Sequence, residues 1–503
     1  MNKNLDRLHT LMAEVMDLRH TASMLEWDER VYMPQGGAET RSLVLASVRR
    51  IAHEKFTSDE IGALLETLKS DGDRYDPLSG IARLVAVTAR DYEKATRVPG
   101  SFVAEQAEIT SMAQHAWQAA RAKSDFSMFA PHLEKIIGLK RRYVSFFAPT
   151  DHPYDVLLDD YEPGLKTSDV EALFNTLRPR QRDLIHRVAE RPPVSDRLLH
   201  LAYAEQGLWD FAVEVATAFG FDWTRGRQDK SAHPYTTDSG PDDVRITTRF
   251  DARQPFMTVF ATMHETGHAL YVQGIDPRWR RTALEGGASL GIHESQSRLW
   301  ENLVGRSLSF WQHFWPTLQR YFPSQLDGVG LEEFHRAINR VQPSFVRVEA
   351  DEATYNLHVM LRVEMEIAML GGAVAVNDLP QLWNGKMQEY LGIMPPNASL
   401  GILQDIHWSI GLMGYFATYT IGNVISAQLW EKFLSVQPDR DQLIHDGDFS
   451  SLLAWLRQEI HQHGRRYEPQ DLVERVTGSR IDPLPYLRHL ERNVEQVYLG
   501  HSI

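Results

Sequence analysis

The residues in this chain best suited to chemistry are His264, Glu265 and His268, in the run Met263-His264-Glu265-Thr266-Gly267-His268. On an α-helix, residues four apart stand on one face, so both imidazoles can reach a single divalent ion. Glu265, one residue from the first imidazole, is too near in sequence to coordinate comfortably. Its carboxylate projects where it can take a proton from a water activated by the ion. Two imidazoles leave a catalytic ion one protein ligand short. The compact pattern with a third histidine fails, because Tyr271 stands where that pattern needs Gly and Gly274 where it needs His. The candidates that remain lie downstream: Glu285, His293, Glu294 and Glu301. Helical spacing puts Glu294, Ser297 and Glu301 on one face of a helix starting near Ser289, but it does not decide among Glu285, His293 and Glu294.

These side chains need a helix to hold them. Pro255 can open one and Gly274 can close it, with Phe256, Phe260, Met263, Gly267 and Leu270 as its apolar face. Most of the chain reads the same way. Residues 165–191, 198–219, 343–370 and 443–463 carry apolar residues at helical spacing, and Pro179 should kink or split the first of these. The exception lies between Phe219 and Pro255, where Val244, Ile246, Thr248 and Phe250 alternate with Arg245, Thr247 and Arg249. Period two predicts a short β-ribbon directly before the motif helix, with an edge open to strand addition or simply covering a helix. The fold class expected is mostly α, with this small ribbon or sheet beside the metal. Residues 1–503 show no linker or repeat, and read as a single helical domain, either one body or two lobes around a cleft.

Composition removes several function classes. The chain has no cysteine, so thiolate nucleophiles, disulfides and Cys-ligated metals are excluded, and any metal must sit on His, Asp and Glu. A formal charge of -14 repels phosphate backbones and argues against nucleic acid as a partner. The N-terminal run intersperses Asp, Glu and Arg among apolar residues, which makes a cytoplasmic location the expectation. From His407 to Trp430 no residue is formally charged; Gly411, Gly414, Gly422, Asn423 and Gln428 within that run suit a buried helix lining a site better than a membrane span.

Further motifs now accumulate. His293-Glu294-Ser295-Gln296 follows the HExxH helix, and together they resemble the carboxypeptidase Taq family of zinc metallocarboxypeptidases. His233-Pro234-Tyr235 is similar to that family's HPF, Asp243–Thr247 to DxRxT, Val346–Asp351 to IRxxAD, and Gly401–Trp408 to GxxQDxHW. Tyr235 and Val346 depart from the family's Phe and Ile, so contacts there can differ. The resemblance runs from His233 to Trp408 and touches no N-terminal motif. It implies an elongated, mostly helical body with a deep groove, zinc on His264, His268 and Glu294, and Glu265 as general base and acid. It also implies one zinc per chain, with cobalt able to substitute, and a homodimer. His407 is the favoured oxyanion donor, with Tyr415 and Tyr419 beside it in the uncharged segment; packing is the alternative for each. Arg347 of the IRxxAD match is the leading candidate for the peptide's terminal carboxylate, unless it pairs with Asp351 four residues on. Arg245 and His233 are weaker substrate-binding candidates. The function expected is removal of C-terminal residues from peptides. A zinc oligoendopeptidase with the same centre is the alternative, and a helical binding protein with a structural ion is a reading from another class.

Overall fold

The computed structural model describes residues 2–70 and 76–499. The chain is mostly helical with one three-stranded sheet, and it packs into two compact units. The first comprises Met1–Thr96, Asp196–Ile338 and Leu429–Arg480; the second comprises Arg97–Ser195, Asn339–Gln428 and Ile481–Ile503.

In the first unit the motif helix spans Met257–Gln273 and is buried on most sides, as its apolar composition requires. Helix Glu205–Phe219 packs along it, and so does helix Leu290–Arg298. Ser289 caps the latter by accepting from Ile292 N at 3.0 Å, so the predicted start is the observed one. One π-helical turn, Leu299–Val304, follows without a break. Behind these helices lies an aromatic core: Trp300 packs at a tilt against Phe219, their rings 4.5 Å apart, and Phe310, Trp311 and Phe314 fill the neighbouring helix face. Side chains of this size are each worth about 1.5–3 kcal/mol when fully buried.

The sheet also belongs to the first unit. Strands β1 (Gly226–Lys230), β2 (Thr236–Asp238) and β3 (Val244–Thr248) are ordered β1-β3-β2. The alternating run is β3, paired parallel to β1 and antiparallel to β2. It is the central strand, so the edge expected to be open belongs instead to β1 and β2. Thr247 and Thr248 are both buried, which breaks the strict alternation. The chain then turns into the motif helix, tied by Thr248 Oγ1 donating to Thr258 O and Thr258 Oγ1 to Arg249 O.

In the second unit helix Glu352–Gly371 forms the buried centre, against Thr167–Ala189, Ala130–Ser145 and Leu379–Leu391. This helix begins nine residues later than the periodicity of residues 343–370 suggested. Asp351 caps it, accepting from Ala353 N at 3.0 Å and Thr354 N at 3.1 Å, and Arg347 lies before it in a single turn, Arg347–Glu349. Pro179 does not split its helix, which runs continuously over Thr167–Ala189. Both Pro179 and Asn175 are exposed, so the carbonyl that loses its partner lies on the solvent side. The 443–463 segment is two helices, Arg440–His445 and Ser450–Glu459, and 198–219 is a short turn followed by a helix. Helix Ala417–Val436 begins inside the uncharged segment and runs past its end; no helix among the described residues is long and apolar enough to cross a membrane.

Candidate active site

His264 and His268 leave one face of the motif helix with their rings 4.9 Å apart and nearly perpendicular. Glu294 comes from the following helix. One of its oxygens, Oε2, lies 3.6 Å from His264 Nε2 and 3.4 Å from His268 Nε2. Atoms bound to one tetrahedral ion at about 2.0–2.1 Å stand about 3.4 Å apart, so these three fit a single ion with little rearrangement. Among the described residues, they are the one set of three such donors that converges within 4.8 Å.

Each donor is held from behind. Arg298, four residues after Glu294, donates Nε to its Oε1 at 2.7 Å and Nη1 to Glu301 at 3.2 Å. Burial alone would raise the Glu294 carboxyl, but Arg298, His264 and His268 hold it well below the usual carboxylate range. Glu301, on the π-helical turn, receives His264 Nδ1 at 2.8 Å; burial opposes its ionisation, yet Arg298 and His264 hold it down to about 2. For His264 the balance runs the other way: burial lowers it, and Glu294 and Glu301 together raise it. His268 Nδ1 lies 2.6 Å from His293 Nδ1, and burial with the neighbouring His268 pushes His293 down to about 3. Glu265 is buried on the same helix, where Thr236 of β2 donates its hydroxyl to Oε2 at 2.6 Å and reaches the Glu265 carbonyl at 3.0 Å.

The second unit gathers a different group. Arg347 donates Nε and Nη2 to one Asp405 oxygen at 3.2 and 2.8 Å, and Nη1 to the Tyr355 hydroxyl at 2.8 Å. It does not pair with Asp351, whose carboxylate is taken up in capping. Arg362 donates Nε to the other Asp405 oxygen at 2.6 Å. Burial opposes charge on Asp405, but the two guanidiniums hold it far below its ordinary range. Two cations thus share one carboxylate, an excess of one positive charge. His407 packs at a tilt against Phe416, their rings 4.4 Å apart, with Nε2 3.4 Å from the Tyr419 hydroxyl, and burial pushes it down to about 4. Its Nδ1 is 4.0 Å from Asp405, beyond a hydrogen bond, and finds no hydrogen-bond partner among the described residues. Tyr415 packs edge-on against Tyr419 at 5.4 Å, and Arg347 lies over the Tyr419 ring at 4.9 Å.

A scan of the sequence against family descriptions matches Carboxypeptidase Taq (M32) metallopeptidase over residues 7–494. The chain belongs to the carboxypeptidase Taq family. Thermostable carboxypeptidase 1 of Thermus thermophilus is 39% identical over 497 residues, covering 96% of this chain and 97% of that one. Carboxypeptidase 1 of Bacillus subtilis is 36% identical, covering 98% and 99%. Among solved structures, the M32 carboxypeptidase from Deinococcus radiodurans R1 superposes with a TM-score of 0.96 at 38% identity, over 99% of this chain and 100% of that one. The chain is therefore a metallocarboxypeptidase, a peptide hydrolase, and the endopeptidase alternative is not favoured.

Membership of the carboxypeptidase Taq family extends the resemblance well beyond the 233–408 region read from motifs. Of the weaker candidates, Arg245 donates twice to Asp243 and stacks on Trp27 at 4.2 Å, while His233 is an exposed residue whose carbonyl accepts from Ser231. Sequence reasoning missed Thr236, Arg298 and Arg362. Arg298 had a signal, its i+4 spacing from Glu294; the other two meet their partners only through tertiary packing.

Proposed function

We propose that this metallocarboxypeptidase works with one zinc ion per chain, held by His264, His268 and Glu294, with Glu265 as the general base and acid. The observation that carries the reading is the approach of both imidazole Nε2 atoms, at 3.6 and 3.4 Å, to one ionised Glu294 oxygen. Imidazole and carboxylate suit zinc, and cobalt, which accepts the same donors, would substitute. An ion there supplies a Lewis acid for the scissile carbonyl and makes a water acidic enough to be deprotonated near neutral pH.

Glu265 takes the proton of the attacking water and delivers it to the leaving amine, so one carboxylate serves both halves of the reaction. Thr236 occupies one Glu265 oxygen and leaves the other for that water. Arg347 receives the peptide's terminal carboxylate: Asp405 and Tyr355 fix the guanidinium plane, and Arg362 takes part of the Asp405 charge, so that positive charge remains for the substrate. His407, Tyr415 and Tyr419 are assigned as neutral donors to the oxyanion, a role for which His407, kept uncharged by burial, is suited. Arg245 and His233 are assigned as lesser substrate contacts. The same reading includes a cytoplasmic location, in keeping with a cysteine-free chain, and a homodimer by family analogy.

Matched peptides with free and amidated C-termini test it. The free acid should lose single residues from its end while the amide is cut far more slowly; equal rates would contradict the terminal-carboxylate assignment. Arg347→Gln should reduce that preference about 10- to 100-fold, the worth of a charged hydrogen bond, with bound metal unchanged. Unaltered preference in the variant would remove Arg347 from the role.

A further inference from the structure

The two imidazoles present the same nitrogen to the ion site but lean on unlike partners. His264 Nδ1 rests on a carboxylate, which accepts in any tautomer; His268 Nδ1 lies 2.6 Å from His293 Nδ1, a nitrogen that can donate or accept. A contact of that kind between two nitrogens holds one proton, so one ring donates and the other accepts. An imidazole that gives its Nε2 lone pair to a metal carries its proton on Nδ1. His268 is then the donor and His293 the acceptor, with the His293 proton on Nε2 and no net charge on that ring.

We propose that His293 is a positioning residue: it accepts the His268 Nδ1–H hydrogen bond, fixes that imidazole in the tautomer and orientation that bind the ion, and is not itself a ligand. The proposal rests on the assignment of His264, His268 and Glu294 as the ligands. Packing holds the ring to this task. His293 lies 4.7 Å from the His268 ring and 5.2 Å from Tyr271. Gly287 closes on it so tightly that a Cβ there would come within 2.9 Å of both His293 and Tyr271. The Tyr271 hydroxyl in turn accepts from Ala288 N at 3.1 Å, which ties the Gly287 segment to the same wall. Neither His293 nitrogen belongs to the set of donors that converges on the ion site.

Zinc affinity, measured by competition with a chromophoric chelator, tests the proposal, with the visible spectrum of the cobalt-loaded protein reporting ligand number. His293→Phe keeps a ring and removes the acceptor; it should weaken zinc binding about 10- to 100-fold and leave the cobalt spectrum unchanged. His293→Asn, whose amide oxygen stands near the Nδ1 position, should recover most of the loss. If the Phe ring does not seat against Gly287, His293→Ala removes the acceptor without adding volume and should give the same weakening. Wild-type affinity in the Phe or Ala variant, an Asn variant as weak as Ala, or a cobalt spectrum showing a lost ligand would each overturn the proposal. His268→Ala checks the ligand assignment separately, since tight zinc binding there would remove that assignment and this role with it.

Discussion

Glu265 stands beside His264, a proposed metal ligand, on the same helix, and Thr236 fixes one of its oxygens. Nothing in that arrangement needs the carboxylate to hold the ion, so binding and proton transfer should separate on mutation. Glu265→Gln keeps the shape and the Thr236 contact while removing the base. It should bind metal as the wild type does, and kcat should fall about 10²- to 10⁴-fold. Full activity with full metal content would remove Glu265 from the reaction. The HExxH spacing made this residue legible, because helical geometry alone sets which side chains share a face. The proposed third ligand was not legible from spacing; Glu301 was a candidate, and spacing did not decide among Glu285, His293 and Glu294 until the HESQ resemblance separated them. The structure gives the other three distinct places: Glu301 behind His264, His293 behind His268, and Glu285 accepting from Arg281 N at 2.6 Å.

Two elements set the spacing of His264, His268 and Glu294: the Met257–Gln273 helix and the Leu290–Arg298 helix packed on it. They approach closely at Gly267, where an added Cβ would lie 2.6 Å from both Gln296 O and Ser297 Cα. These are backbone atoms, so the helices must move apart. Gly267→Ala would gain about 1 kcal/mol of helix propensity, and overpacking against a rigid backbone costs about 1–3 kcal/mol, so the net effect is loss of stability. The same displacement pulls Glu294 from the imidazoles. Thermal melts and zinc titration should both show weakening, and a variant as stable and as tight as wild type would contradict the packing account. The two helices could be read from caps and periodicity, as Ser289 and Gly274 show. The π-helical turn that delivers Glu301 to His264 could not, since an added backbone residue leaves no mark in apolar spacing. Arg347 was misplaced for a related reason: apolar periodicity continued across the Asp351 cap and hid the start of the helix.

At the scale of the whole molecule, proton binding sets the response to acid. Burial pushes eight imidazoles down: His9, His20, His293, His335, His358, His407, His461 and His463. It pushes four carboxyls up: Asp238, Glu285, Asp351 and Glu366, the second and fourth to about 7. Below about pH 6.5 the unfolded chain protonates its histidines more readily than the folded chain protonates these eight, at a cost of up to about 1.4 kcal/mol per pH unit for each fully discriminated group. The four carboxyls act in the opposite direction, holding protons in the folded state that the unfolded chain takes up only below about pH 4.5. His264, raised by Glu294 and Glu301, acts with the carboxyls, but the eight lowered histidines still outnumber these five groups, so stability should fall as pH drops from 7 to 5. Melting of the metal-free protein measures this, and a melting temperature that holds or rises would contradict it. The N-terminal helices show why the motif reading stopped at His233 although the family spans residues 7–494. Leu8, Leu11, Met12 and Val15 are buried at ordinary helical spacing, a pattern that packing alone accounts for.

One ion should sit on two imidazoles and one carboxylate. Anomalous diffraction at the zinc edge from zinc-loaded crystals tests it most directly. One strong peak is expected within about 2.0–2.2 Å of His264 Nε2, His268 Nε2 and a Glu294 oxygen, with Glu265, His293 and Glu301 outside bonding distance. A peak bonded to any of those three instead of Glu294, or no peak at these side chains, would contradict it.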